Sequence, residues 1–432
     1  MTRTGNSFPR VLLIGPSGFN NVTGGGVTFS NLFRGWARDA IATVTNDPVP
    51  VSEDVCSRYY HLTAAEITYM RPFSLIASPS SGRSGAGRGG GATGPGLGYQ
   101  LAKSVLGDAG VPDRGLLSPA LANWIRSFRP EMVYSILGSP GIVDLVDQIH
   151  RRFEIPIAVH LMDDGVTDPR RSGLFGRYLR RLYRRKFLAI LKKASLRMAI
   201  CDAMARAYEE RYGCSFDAYQ NTIDLAQWRE SAGSDLTPGD PVRIAYVGSV
   251  LVSGQLHSLL HCCEAVRALH EKERKIRLDI HTPCFREPAL ACAVCREPPV
   301  YLHDTIRTDD EFRRTLCEAD VLLLPVNFDR KSIDFIRLSM PTKVPAYLAS
   351  GTPILVYGPR NVAQVEYALE AGWGHVVSER SMDDLVAGLK RIIDDADLRQ
   401  RLSGAALKAA PRHEIGRVRG GFQQALREAA RR

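Results

Sequence analysis

From Ser339 to Pro359 the chain reads Ser-Met-Pro-Thr-Lys-Val-Pro-Ala-Tyr-Leu-Ala-Ser-Gly-Thr-Pro-Ile-Leu-Val-Tyr-Gly-Pro. A Pro-Thr start, a short helical stretch, a glycine stop and an apolar strand follow one another. That order puts Thr342, Lys343 and the first helical N–H groups where a phosphate could sit, because those N–H groups have no intrahelical acceptor and the helix start is electropositive. Gly24-Gly25-Gly26, between an apolar run and a helical pattern, is a second candidate for anion binding through backbone N–H groups. It spells neither the G-x-G-x-x-G fingerprint nor a Walker loop, and a tight turn packed under a helix explains it as simply. His281, Cys284, Cys292 and Cys295 have knuckle-like spacing for zinc. Nine cysteines scattered along 432 residues produce such groupings by chance, so no zinc is expected there.

These residues need elements to hold them. Arg10 to Gly15 reads as a buried parallel strand, followed by the glycines and by a helical pattern through Trp36. Met132–Ile136, Ile157–Leu161 and Met198–Ile200 are further strand candidates, with a helical pattern over Pro140–Phe153. The alternation restarts after a Ser-, Gly-, Asp- and Pro-rich break at Ser231–Pro241. Val242–Ser249 forms a second strand-to-glycine turn, followed by a helix near Leu256–Leu269 and strands at Leu278–Ile280, Val321–Leu324 and Pro353–Val356. Two Rossmann-like α/β domains in tandem are therefore expected, over 1–230 and 231–410. A last helix within 411–432 is expected to pack back toward the first domain. Residues 78–98 are nearly all Gly and Ser and read as an insertion, either a plain surface loop or a mobile loop over an acceptor site.

Composition sets the outer limits. With 44% apolar and 24% charged residues the chain is neither disordered nor coiled coil. Its length calls for two cores, and no apolar run approaches the roughly 20 residues of a membrane-spanning helix. The N-terminus does not read as a secretory signal, and the odd cysteine count suits a reducing cytoplasm. The net charge of +10 is local: Arg170 to Lys193 holds ten Lys or Arg and no acid. A patch of that kind argues against a nucleic-acid partner. It fits an interfacial helix on an anionic membrane surface, with Leu174, Phe175, Tyr178, Leu179, Leu182, Tyr183, Phe187, Leu188 and Leu191 as its apolar face. The plainer alternative is a core-facing helix with a solvated rim.

The Ser339–Pro359 segment resembles the nucleotide-sugar-binding helix and following strand of retaining glycosyltransferases with the two-Rossmann (GT-B) fold, the family 4-like group that builds bacterial glycans. The Gly24–Gly26 segment, His160-Leu161-Met162-Asp163-Asp164-Gly165, Ile200–Met204 leading to Tyr208–Gly213, Asn221-Thr222-Ile223-Asp224 and Ala319–Pro325 agree in order, so the likeness runs from Val11 to about Asp394. It implies two domains facing across a cleft, a nucleotide-sugar donor held by the second, an acceptor held by the first, and no cofactor or metal. Two departures stand out. The family's ribose-binding glutamate falls at Ala346 and its acidic partner at Leu338, and Ser249 to Gln255 lacks the cation expected after Gly248. Lys343 or Lys331 would then neutralise donor phosphate, helped by Gly25, Gly26, Gly248, Ser249, Ser339 and Thr342. The resemblance puts Asp163 and Asp164 at the family's cleft-facing acidic position. Adjacent carboxylates point different ways, so Asp163 is expected to face the sugar and Asp164 to act structurally, unless both cap the following helix. Bacterial surface glycan assembly on a lipid-linked or polysaccharide acceptor, at the inner face of the membrane, is the implied role. A sugar-nucleotide epimerase and a non-catalytic nucleotide- or glycan-binding relative are the alternatives.

Overall fold

In the computed structural model, residues 8–16, 18–20, 24–46, 51–69, 113–164, 176–229, 235–272, 274–283 and 298–431 are described. The expected Gly/Ser-rich insertion and the cysteines Cys284, Cys292 and Cys295 lie outside them. Two compact units emerge: the first comprises Met1–Asn221 and Arg419–Arg432, the second Thr222–Val418.

The first unit is built on a parallel sheet of seven strands, in the order β3-β2-β1-β6-β7-β8-β9. These are β1 (Val11–Gly15), β2 (Ile41–Thr45), β3 (Tyr59–His61), β6 (Met132–Ser135), β7 (Ile157–Leu161), β8 (Leu196–Ala199) and β9 (Asp217–Ala218). A separate antiparallel pair joins β4 (Ile67–Tyr69) to β5 (Asp113–Gly115). Helices α1 (Gly24–Phe33), α2 (Pro119–Phe128), α3 (Pro140–Phe153), α4 (Gly176–Lys193) and α5 (Asp202–Tyr212) connect the strands. Strands β1, β2, β6 and β7 are buried along their whole length, which is why they read as unbroken apolar runs rather than alternating ones. Helices α2 and α3 each start at a serine whose hydroxyl accepts a first-turn N–H, with proline next in the chain. Both features fix a helix start.

In helix α4 the later part of the apolar face expected to meet a membrane is buried, while Tyr178 stands exposed and Leu174 and Phe175 lie outside the described residues. Tyr183, Phe187, Ile190 and Leu191 are at most 3% exposed, the Tyr183 hydroxyl donates to the Leu137 carbonyl at 3.2 Å, and the ring of Phe187 packs on Tyr212. Lys186 and Lys193 pair with Asp144 and Asp147 of α3 at 2.6 and 2.8 Å. From Tyr183 onward the apolar stripe is largely buried within the first unit, which satisfies the same periodicity that suggested an interfacial helix. What faces solvent is a ridge of Tyr178, Arg181, Arg184 and Arg185.

The second unit carries a six-stranded parallel sheet in the order β12-β11-β10-β13-β14-β15. Its strands are β10 (Val242–Val247), β11 (Ile276–His281), β12 (Val300–His303), β13 (Val321–Pro325), β14 (Ile354–Tyr357) and β15 (Gly374–Val377). Between and after them run α6 (Leu256–Lys272), α7 (Asp309–Cys317), α8 (Arg330–Ile336), α9 (Val344–Ser350), α10 (Ala363–Ala371), α11 (Met382–Asp394), α12 (Ala396–Ala409) and α13 (Ile415–Ala429). Alternate residues of β10 enter two cores: Ile244 and Tyr246 pack with α6 and α11, Ala245 and Val247 with α9, α10 and α12. Helix α13 ends in the first unit, where Phe422 meets Phe33 and Tyr219 edge-on at 5.1 and 5.7 Å. Gln423 there donates to the carbonyl of Leu32 at 3.0 Å.

Candidate functional site

In the second unit the chain leaves β10 toward one edge of the sheet and returns through β13 toward the other. The carboxyl ends of β10 and β13 therefore flank a topological switch point, where open parallel sheets hold ligands. Beyond β10 the backbone turns at Gly248, whose φ of +130° only glycine adopts readily. The Gly248 N–H donates to His281 at 2.9 Å, and the Tyr246 hydroxyl to the Ser249 carbonyl at 2.8 Å. Beyond β13, Asn327 staples the rest of the loop. Its own N–H donates to the Gly254 carbonyl, its side-chain amide to the Val252 carbonyl, and its side-chain oxygen accepts from Ser258 of α6, at 2.8, 2.8 and 3.1 Å. The Gly248 turn is thus held from both sides.

Helix α9 is aimed at this turn. Lys343 is its N-cap residue and Gly351, at φ +68°, its stop. The Tyr347 hydroxyl accepts from the Val247 N–H at 3.0 Å and ties α9 to the end of β10. Lys343 is partly exposed as a residue, but its Nζ is sealed from solvent and has no hydrogen-bond acceptor among the described residues. The Nζ stands 3.6 Å from the Tyr246 ring centre and 6.0 Å from that of Tyr347. A Cβ on Gly248 would come within 3.2 Å of it. Burial pushes this amine from its ordinary 10.5 down to about 7. A cation over a tyrosine face gains about 0.5–2 kcal/mol, whereas a shift of that size corresponds to about 5 kcal/mol against the charged form, so burial wins.

The other expected donor residues are placed as follows. Ser249 continues the Gly248 turn. Ser339 and Thr342 are partly exposed on the approach to α9, and the Ser339 N–H donates to Ile336 at 2.9 Å. Lys331 stands exposed in the first turn of α8, after the Asp329 cap. Ala346 and Leu338, where the resemblance calls for acids, are 5% and 9% exposed, Ala346 within an apolar core.

In the first unit, Gly24, Gly25 and Gly26 form the first turn of α1 rather than a loop before it. A side chain on Gly26 would strike the buried side chain of Asn20, so close approach explains that glycine. Asp163 is partly exposed just beyond β7. Asp164 is buried and has a partner that spacing did not foretell: Arg211 of α5 donates to both its oxygens at 2.6 and 3.3 Å, and the Tyr208 hydroxyl donates at 3.1 Å. This engagement leaves Asp163 as the more open of the two carboxylates. Sequence reasoning missed Tyr246, Tyr347 and Asn327. The only local signal was Tyr347, inside the same short segment as Lys343. Among the described residues no group of three or more His, Cys, Asp or Glu could hold a metal ion.

Solved structures with this chain's architecture are numerous. Sucrose-phosphate synthase from Thermosynechococcus elongatus aligns over 97% of this chain and 98% of its own, with a TM-score of 0.61 at 13% identity. The fold is that of the GT-B glycosyltransferases. Anabaena HepE in complex with UDP matches at TM-score 0.59 and 12% identity, covering 96% of this chain and 99% of its own. WaaG, a glycosyltransferase involved in lipopolysaccharide biosynthesis, matches at 0.57 and 12% over 96% and 99%. No protein-family model and no curated protein sequence matches the chain. At this identity the GT-B likeness is one of fold, and the chemistry has to be argued from the residues.

Proposed function

We propose that this GT-B protein transfers a hexose from a nucleotide-sugar donor, held by its second unit, to a glycan or lipid-linked acceptor held by its first, in bacterial surface polysaccharide assembly. The observation that carries the reading is the unpaired, buried Lys343 amine at the Gly248 turn, beside the switch point of a sheet whose fold is shared with a protein solved with UDP. A buried cation stabilises a departing diphosphate in a way that water-exposed charge does not. Lys343 supplies that charge in place of the cation absent between Ser249 and Gln255. Asp163 is the acidic group on the acceptor side, and Asp164, fixed by Arg211, holds the end of β7 in place. The fold's match to WaaG supports the surface-glycan role. The exposed arginines of α4 supply affinity for the anionic inner face of the membrane.

A thermal-shift panel of nucleoside diphosphates and nucleotide sugars tests the donor half, since a ligand at a hundred times its Kd stabilises the folded state by about 2.7 kcal/mol. Uridine or guanosine nucleotides are expected to raise the melting temperature. Lys343→Ala is expected to weaken their binding by about 1.5–3 kcal/mol, the range for a charge-assisted bond. No shift with any nucleotide at millimolar concentration would defeat the reading. Release of nucleoside diphosphate only in the presence of acceptor separates transfer from epimerisation.

A further inference from the structure

Lys343 offers more than a charge, because among the described residues the groups found against its Nζ are neutral. The Tyr246 ring faces it from β10, Tyr347 from its own helix, and the third neighbour is the bare backbone of Gly248. Neither tyrosine can become a counter-ion near neutral pH. The Tyr246 hydroxyl is spent on the Ser249 carbonyl and the Tyr347 hydroxyl on the Val247 N–H, and burial pushes both phenols upward. No carboxylate and no other acceptor reaches the nitrogen from the described residues. Three consequences follow from elementary electrostatics. The ammonium form has only an aromatic face to compensate its lost hydration. The neutral amine is therefore the form this enclosure favours as pH rises. A phosphate oxygen arriving at the nitrogen reverses that preference, because an opposite charge within hydrogen-bond reach favours the charged form.

We propose that binding of a phosphate-bearing ligand at the Gly248 turn is coupled to uptake of one proton by Lys343, so that affinity falls as the solution becomes alkaline. The inference rests on the nucleotide-donor reading for the identity of the ligand, but the proton uptake belongs to the amine itself. The balance is simple: the neutral amine accepts a proton from solvent, its lone pair becomes the third N–H bond, and the ammonium donates to a phosphate oxygen. No co-reactant is needed. The flexible four-carbon stem, with the side-chain-free Gly248 beside it, gives the nitrogen its route to the ligand. Burial that brings the free amine down to about 7 sets the working range. At pH 6 the amine already holds its proton and binding takes up none. Above pH 7 the free protein has lost it and the complex regains it, so Kd rises about tenfold per pH unit until the bound form also deprotonates.

Titration calorimetry on the full chain, with UDP, GDP and inorganic pyrophosphate in buffers of contrasting ionisation heat, measures the proton count directly. Data between pH 7.5 and 9 avoid the nucleotides' own titration, because a terminal phosphate ionises near pH ~6, and pyrophosphate, which loses its last proton at alkaline pH, is read as the difference between the parent and Lys343→Met. Expected are close to one proton taken up at pH 8.5, a smaller uptake at pH 7.5, and a Kd rising toward tenfold per unit across the window. Lys343→Met should bind more weakly and take up no proton. Lys343→Arg, always charged, should lose the alkaline decline where it still binds. A wild-type Kd flat across this range, or an uptake that survives in Lys343→Met, overturns the proposal. Pyrophosphate binding with proton uptake while both nucleotides fail would keep the coupled anion site and remove the nucleotide-donor reading. Failure of all three probes to bind removes both.

Discussion

Lys343 is held where its charge costs stability, and that cost has a pH signature independent of any ligand. Its folded value is about 7 against an ordinary 10.5, so between those limits the unfolded chain binds a proton that the folded chain does not. Stability therefore rises with pH across that window, by at most about 1.4 kcal/mol per unit, and is flat above and below it. Lys343→Met keeps the stem and removes the charge. It is expected to be more stable than the parent at pH 6 by a few kcal/mol, with the gap closing by pH 10, as chemical denaturation across that range would show. A constant gap would mean the amine is not buried as described. Gly248→Ala belongs to the same site. It forces a side chain to φ +130° and onto the Lys343 nitrogen, so a loss of about 1–3 kcal/mol is expected. Lys343 was legible in the sequence because its helix start, glycine stop and strand are all local. Its enclosure was not, since Val247 and Tyr347, whose hydrogen bond closes it, lie 100 positions apart.

At the scale of elements, α4 shows why periodicity leaves two readings open. An apolar stripe flanked by arginines suits a membrane surface and a protein core equally, and only the burial of Phe187 against Tyr212 decides between them for that part of the helix. The two faces therefore have separable roles. Phe187→Ala is expected to cost about 3–5 kcal/mol of stability through the cavity it leaves. The triple change Arg181→Gln, Arg184→Gln, Arg185→Gln is expected to alter stability by less than about 0.5 kcal/mol. The same triple change should abolish salt-sensitive co-sedimentation with anionic liposomes, each engaged arginine contributing about 1 kcal/mol. Unchanged sedimentation of the triple variant, or none for the parent protein, would leave the ridge a solvated rim. The central strands β1, β6, β7, β10, β13 and β14 were legible as continuous apolar runs. Strands β3, β9 and β15 were not, because short, partly exposed edge strands give neither an unbroken run nor an alternation. The glycines of α1 were misplaced by one turn for a related reason: helix propensity argues against Gly in a first turn, and it is the close approach of Asn20 that overrides it.

At the scale of the whole molecule, each unit carries one buried histidine that must stay neutral. In the first unit the Tyr219 carbonyl can only accept, so His160 Nε2 carries the proton and donates to it at 2.9 Å. Nδ1 then accepts from the Tyr134 hydroxyl at 2.7 Å. In the second unit His413 shares a hydrogen bond of 3.1 Å with the Tyr367 hydroxyl, and its Nδ1 is buried without a partner among the described residues. Burial pushes both from 6.5 down to about 4. For a group depressed in this way the stabilisation is fully present above the unfolded value and is lost as pH falls toward the folded one. Between pH 6.5 and 4 the unfolded chain takes up a proton at each histidine that the folded chain refuses, and each residue removes about 3 kcal/mol across that window. Both units are thereby expected to weaken together on mild acidification, by a route separate from the Lys343 window at neutral to alkaline pH. Calorimetric scans at pH 7, 5.5 and 4.5 on the parent, His160→Gln and His413→Gln test this. Glutamine keeps an N–H for Tyr219 in the first case and cannot take up a proton in either. Each variant should start less stable at pH 7 and lose less on acidification than the parent. An acid loss of the same size in both variants would assign it to carboxylates instead.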